Sequence, residues 1–91
     1  MAEKESRVEV EIYGDYYILK GEGSTEDLQM LAQYVHSKME TLAGRNARLS
    51  RHQTAVLAAL NIAGELRKLR EKYDSLVKII ELAEGNNKKN S

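Results

Sequence analysis

A chain of 91 residues with 14 basic and 14 acidic side chains has no net formal charge, which disfavours a protein built mainly to coat nucleic acid. It has no cysteine, so disulfides, thiolate metal sites and cysteine nucleophiles are excluded, and no proline, so long uninterrupted helices are permitted. One small domain is the expected size class, and a core this small is commonly supplemented by oligomerisation.

Residues 1–6 read as a frayed, disordered polar start. They lack the apolar stretch of a signal peptide, and no run of about 18 apolar residues follows anywhere, so the cytoplasm is the expected location. From Arg7 to Tyr13 the chain alternates, with Val8, Val10 and Ile12 on one face and Glu9 and Glu11 on the other, as in a half-buried strand. Gly14-Asp15 reads as a two-residue type II′ loop, which pairs Tyr13 with Tyr16, Ile12 with Tyr17, Val10 with Leu19 and Glu9 with Lys20. A lone hairpin is marginal in water and must lie on helices or join another sheet.

After Gly21-Glu22-Gly23, Ser24 is an N-cap with Asp27 three places on. Leu28, Leu31, Ala32, Val35, Met39 and Leu42 then keep helical spacing, and Gly44 stands where a terminating glycine belongs. Ser50 and Gln53 form a capping box that opens a second helix, unbroken until Gly85. Roughly 34 residues at about 1.5 Å each give a rod of about 50 Å, too long for the core of so small a domain. Ala59, Ile62, Leu66, Leu69, Tyr73, Leu76, Ile80 and Ala83 alternate steps of three and four, a heptad seam for wrapping one helix around another. Val77 and Ile79 widen the stripe near its end, which favours more than two helices. Earlier, Val56, Leu57, Leu60 and Ala63 add a second apolar face, so this part of the helix is expected between its own head and a second subunit. Gly64 either permits a close helix crossing or is a tolerated helical glycine costing about 1 kcal/mol against alanine. Residues 85–91 read as a disordered polar tail. The expected class is therefore α+β: an N-terminal β-hairpin, a short helix and a long C-terminal coiled-coil helix in an obligate oligomer. Its head spans 7–60 and its oligomerisation helix 61–84.

No catalytic constellation emerges. His36 and His52 stand apart with no carboxylate at ligand spacing, and both read as exposed histidines rather than metal ligands. Gly21-Glu22-Gly23-Ser24 lacks the remaining glycine and the lysine of a phosphate loop. Glu9 and Glu11 form a solvated strand face with nothing to raise either pKa. The chain is read as no enzyme, with no catalytic, metal or cofactor site. One cluster asks for a reason: Arg45, Arg48, Arg51 and His52 crowd the start of the second helix, where cations are electrostatically disfavoured. It is either a surface for an anionic partner or a solvated loop. The exposed hairpin face with Tyr13, Asp15, Tyr16 and Ile18 is a second candidate partner surface, or an edge between subunits.

Three features together resemble one family. Val8-Glu9-Val10-Glu11-Ile12-Tyr13-Gly14 is similar to the opening strand of ZapA proteins. Thr54 to Leu66, with Ala59-Leu60-Asn61-Ile62 and the following Glu65-Leu66, resembles their signature at the start of the long helix, and the order of elements matches over Arg7 to Glu84. The resemblance implies a bacterial division regulator, cytoplasmic and at mid-cell, that binds FtsZ and crosslinks or bundles its filaments in support of Z-ring assembly and septation. It implies a homodimer through the head that can extend into a homotetramer, a dimer of dimers. Neutral charge and the lack of a long apolar run add the expectation of no nucleic acid and no membrane as partner. Carried over by position, contact candidates are Asp15, His52 and Leu57. Some relatives carry arginine and glutamate at the first two places, so Arg45, Arg48 and Arg51 become further candidates for the contact charge. The expected oligomer interface is Ala59, Ile62, Leu66, Leu69, Tyr73, Leu76, Val77, Ile79, Ile80 and Ala83. Asn61 is read as structural, bonding the hairpin or a partner helix. The rival reading is a nucleic-acid-binding coiled-coil dimer that lays the three arginines on phosphates.

Overall fold

A computed structural model describes the backbone of residues 5–90 and the side chains of residues 5–85. The element order is β1 (Ser6–Ile12), β2 (Asp15–Gly21), α1 (Thr25–Arg45) and α2 (Arg51–Asn90). Residues 1–4 and 91, parts of the expected disordered ends, lie outside the described residues.

The strands pair antiparallel, Ile12 with Asp15, Val10 with Tyr17, Val8 with Leu19 and Arg7 with Lys20. The two-residue loop is thus Tyr13-Gly14, one position earlier than expected from the glycine. Each partner shifts by two residues, so the other strand residues keep their expected faces while the pairs change: Glu9 faces Ile18, and Lys20 faces Arg7. Tyr13 and Asp15, expected on the outer face beside Tyr16 and Ile18, depart from it: Tyr13 enters the loop, and Asp15 pairs with Ile12 on the opposite face. Tyr13 and Gly14 both have positive φ, 52° and 90°, the signature of a type I′ turn rather than the expected type II′. A tyrosine in the left-handed region is strained by its Cβ, so contacts from elsewhere must hold it there.

Ser24 caps α1 as expected, its Oγ accepting from the Asp27 N–H at 3.1 Å. The helix does not stop at Gly44. It runs through Arg45 to Asn46, whose extended backbone donates to the Leu42 carbonyl and whose side chain accepts from the Arg48 N–H at 3.0 Å. An asparagine turn therefore performs the termination expected of the glycine. α2 opens with the reciprocal capping box: Ser50 N–H donates to Gln53 Oε1 and Gln53 N–H to Ser50 Oγ, both at 3.0 Å. At its other end α2 passes through Gly85 to Asn90, so residues 85–90 of the expected disordered tail are helical. Gly85 weakens a helix by only about 1 kcal/mol, and no proline stands beyond it to force a stop.

The chain forms two compact units, one reaching to Ala59 and one from Leu60 onward. In the first unit α1 lies along β1, and the buried residues are Val10, Leu28, Ala32, Met39, Ala58 and Thr54. Among the described residues Thr54 is the most buried. Its hydroxyl is satisfied by the Ser50 carbonyl at 2.8 Å, which leaves its methyl group free to pack. In the second unit α2 exposes Leu66, Leu69, Tyr73, Leu76, Ile79, Ile80 and Leu82.

Candidate functional site

The site begins with the geometry of a two-residue hairpin. In such a loop the first turn residue has neither its N–H nor its C=O in the ladder, so both need partners elsewhere. Tyr13 finds one on each helix. Its N–H donates to His36 Nδ1 of α1 at 2.8 Å, and its C=O accepts from Arg51 Nη1 of α2 at 2.6 Å. Arg51 Nη1 also reaches Asp15 Oδ2 at 3.2 Å, and its guanidinium lies 5.3 Å from the centroid of the Tyr13 ring. These contacts hold the strained tyrosine in place and select this loop over the one that its local sequence favours.

The arrangement also explains the cation at the start of α2. The helix has no acidic residue in its first turn, and its N-terminus repels Arg51 by a fraction of a kcal/mol up to about one. Asp15, the Tyr13 carbonyl and the Tyr13 ring together offset that repulsion. The ion pair is more than half exposed on both sides, so its value lies in fixing geometry more than in stability.

Asp15, Arg51 and His52 then share a groove of about 680 Å³ whose lining also includes Tyr17, Val35 and Met39. His52 belongs in addition to a second groove, with Leu49, Gln53, Val56 and Leu57. Four of the six expected contact residues, Asp15, Arg51, His52 and Leu57, are thereby gathered around the hairpin tip and the first turns of α2. Arg45 and Arg48 are exposed outside both grooves, on the last turn of α1 and on the connector. The expected cluster of three arginines is thus divided, since Arg51 already has an acidic partner. Tyr16 and Ile18 are exposed on the hairpin surface, opposite Glu11 and Glu9.

His36 corrects the expectation of a free exposed histidine. Its side chain is only 21% exposed, and its Nε2 stands 3.2 Å from Glu40 Oε2, one helical turn on. The i,i+4 spacing of His36 and Glu40 was the signal for a carboxylate neighbour. Nothing in the sequence marked the Tyr13 contact, because it follows from the loop's real position. Among the described residues no group of three or more His, Cys, Asp or Glu side chains is placed to hold a metal ion.

Comparison with known proteins gives a consistent result. The family model described as Cell division protein ZapA matches residues 8–89. A Cell division protein ZapA from Bacillus thuringiensis (strain Al Hakam) is 40% identical over 73 residues, covering 80% of this chain and 82% of that protein. A namesake from Geobacillus thermodenitrificans is 42% identical over 74 residues, covering 81% of each. A solved structure titled as a ZapA mutant dimer from Geobacillus stearothermophilus aligns with a TM-score of 0.71 at 34% identity, over 89% of this chain and 95% of that one.

Proposed function

The chain belongs to the ZapA family of cell division proteins, and from that premise we propose that it binds FtsZ filaments and ties them together as a self-associated particle. The observation that carries the reading is the uncovered apolar seam of a family member: Leu66, Leu69, Tyr73 and Leu76 are each more than half exposed along α2 of the second unit. A seam of that period is made to be covered by another helix, and the aligned dimer from Geobacillus stearothermophilus supports a second copy as the cover. Exposed large apolar side chains greatly outnumber the buried ones among the described residues, so a lone chain is poorly stabilised.

The contact with the filament falls to the hairpin tip and the start of α2, where Asp15, Arg51, His52 and Leu57 gather. Two such sites on one particle make the second contact intramolecular, so each can be weak while the pair crosslinks firmly. The place of action is the cytoplasm at the division site. No described helix is long and apolar enough to cross a membrane. Co-sedimentation of this protein with assembled FtsZ, with light scattering for bundling, tests the reading. It predicts that protein pellets with filaments and that scattering rises. A protein left in the supernatant at tens of micromolar, with unchanged scattering, refutes it.

A further inference from the structure

The two clamps on Tyr13 differ in kind. Arg51 clamps as a donor to the Tyr13 carbonyl, whereas His36 accepts the Tyr13 N–H through Nδ1 and can do so only while that nitrogen is unprotonated. With Nδ1 accepting, the imidazole proton sits on Nε2, facing Glu40 at 3.2 Å. A second proton would place two N–H groups head to head across 2.8 Å, and the contact would open. We propose that His36 is a pH-responsive positioning residue: in its neutral form it latches the Tyr13-Gly14 turn, and on protonation it releases the tip that carries Asp15 and Tyr16.

The surrounding charges decide how the latch works. Glu40 on α1 pairs with Nε2 and welcomes a protonated ring. Glu9 and Glu11 of β1 line a groove together with His36. Opposing Glu40 are the Tyr13 N–H, which needs the neutral ring, and Arg51 of α2, which holds the other side of the same peptide residue and is itself paired with Asp15. A carboxylate ready to receive the imidazolium, set against a donor that must leave it, makes two alternatives out of one side chain. The sign is fixed by the acceptor: the latch is present while Nδ1 is bare, on the higher-pH side, and is lost once that nitrogen takes a proton. Released on that side, Tyr13 keeps its unfavourable positive φ with only Arg51 to hold it, so the turn loosens locally while the rest of the ladder stays paired.

The latch itself stands on geometry, and its bearing on filament binding rests on the function proposed above. The test follows the Tyr13 amide and the His36 ring by NMR in the full chain between about pH 8 and pH 5. The two should titrate with one midpoint, and hydrogen exchange at the Tyr13 amide should quicken about tenfold beyond its intrinsic pH dependence, the worth of one hydrogen bond. His36→Asn, whose Oδ1 takes the place of Nδ1 and does not titrate, should keep the turn and abolish the pH response; His36→Ala should lose the latch at every pH. A Tyr13 amide that ignores the ring's titration, or a His36→Asn chain with the wild-type pH profile, overturns the proposal. At one fixed pH, His36→Ala should pellet less with filaments and His36→Asn should restore it. Equal pelleting of all three overturns the positioning role. Failure of the wild-type chain to pellet refutes filament binding instead, and the amide titration still decides the latch.

Discussion

At the scale of single residues, the hairpin tip shows how tertiary contacts override local preference. Gly14 was legible as a turn glycine, but the glycine alone did not say which loop position it takes, because the residue that shares the loop with it is a tyrosine. Only His36 and Arg51, 23 and 38 residues away in sequence, make a left-handed tyrosine tolerable. Thr54 likewise does not mark itself as core in the sequence, since its polarity hides a hydroxyl that is satisfied locally and a methyl free to bury. Glycines at different φ should now respond in opposite directions. At Gly14 an added Cβ meets nothing closer than Arg51 Nη1 at 3.9 Å, so Gly14→Ala is penalised by its φ of +90° alone, about 1 kcal/mol or somewhat more. At Gly44 the backbone is helical and nothing lies within 4 Å, so Gly44→Ala should gain up to about 1 kcal/mol. Urea unfolding at one protein concentration checks the pair, and a neutral Gly14→Ala would show that the turn is not held in the left-handed region.

At the scale of elements, periodicity was a good guide and punctuation a mixed one. The alternation in β1 placed each side chain on its correct face even though the pairing partners shifted by two, because faces depend on parity and pairs on the loop. The Ser24 cap and the Ser50–Gln53 box were readable since each is a local exchange of hydrogen bonds within four residues. The end of α1 was not, as Asn46 competes with Gly44 for the stop and wins with its side-chain turn. The start of α2 carries more weight than a cap ordinarily would, because Arg51 follows it directly and must be aimed at Tyr13. Ser50→Ala should therefore cost about 1 kcal/mol in stability from the lost cap. It should also disturb the Tyr13 and Asp15 amides more than other sites equally distant from residue 50. Chemical-shift mapping tests this, and a perturbation confined to α2 would mean that the cap and the tip are independent.

At the scale of the whole molecule, the first unit has a small buried set and the second has an uncovered seam. The heptad spacing was legible because steps of three and four persist from Ala59 to Ala83, and the exposure of Leu66 to Ile80 agrees with a surface awaiting a partner. Which copies meet there, and how many, is not written in the spacing alone: steps of three and four suit a pair, whereas a stripe broadened by Val77 and Ile79 favours more than two helices. A charge placed in that stretch separates the two levels of assembly. Leu76→Glu would bury an unpaired carboxylate in an apolar seam, at a cost of several kcal/mol that a weak dimer-of-dimers contact cannot absorb. Analytical ultracentrifugation should then report a lower mass than for the unchanged chain. Filament bundling should fall with it, while the binding proposed for Asp15, Arg51, His52 and Leu57 should persist, because those residues belong to the other unit. If the mass drops to that of a dimer and bundling stays at its original level, crosslinking does not depend on the seam, and the bivalent mechanism is wrong even though the family assignment stands.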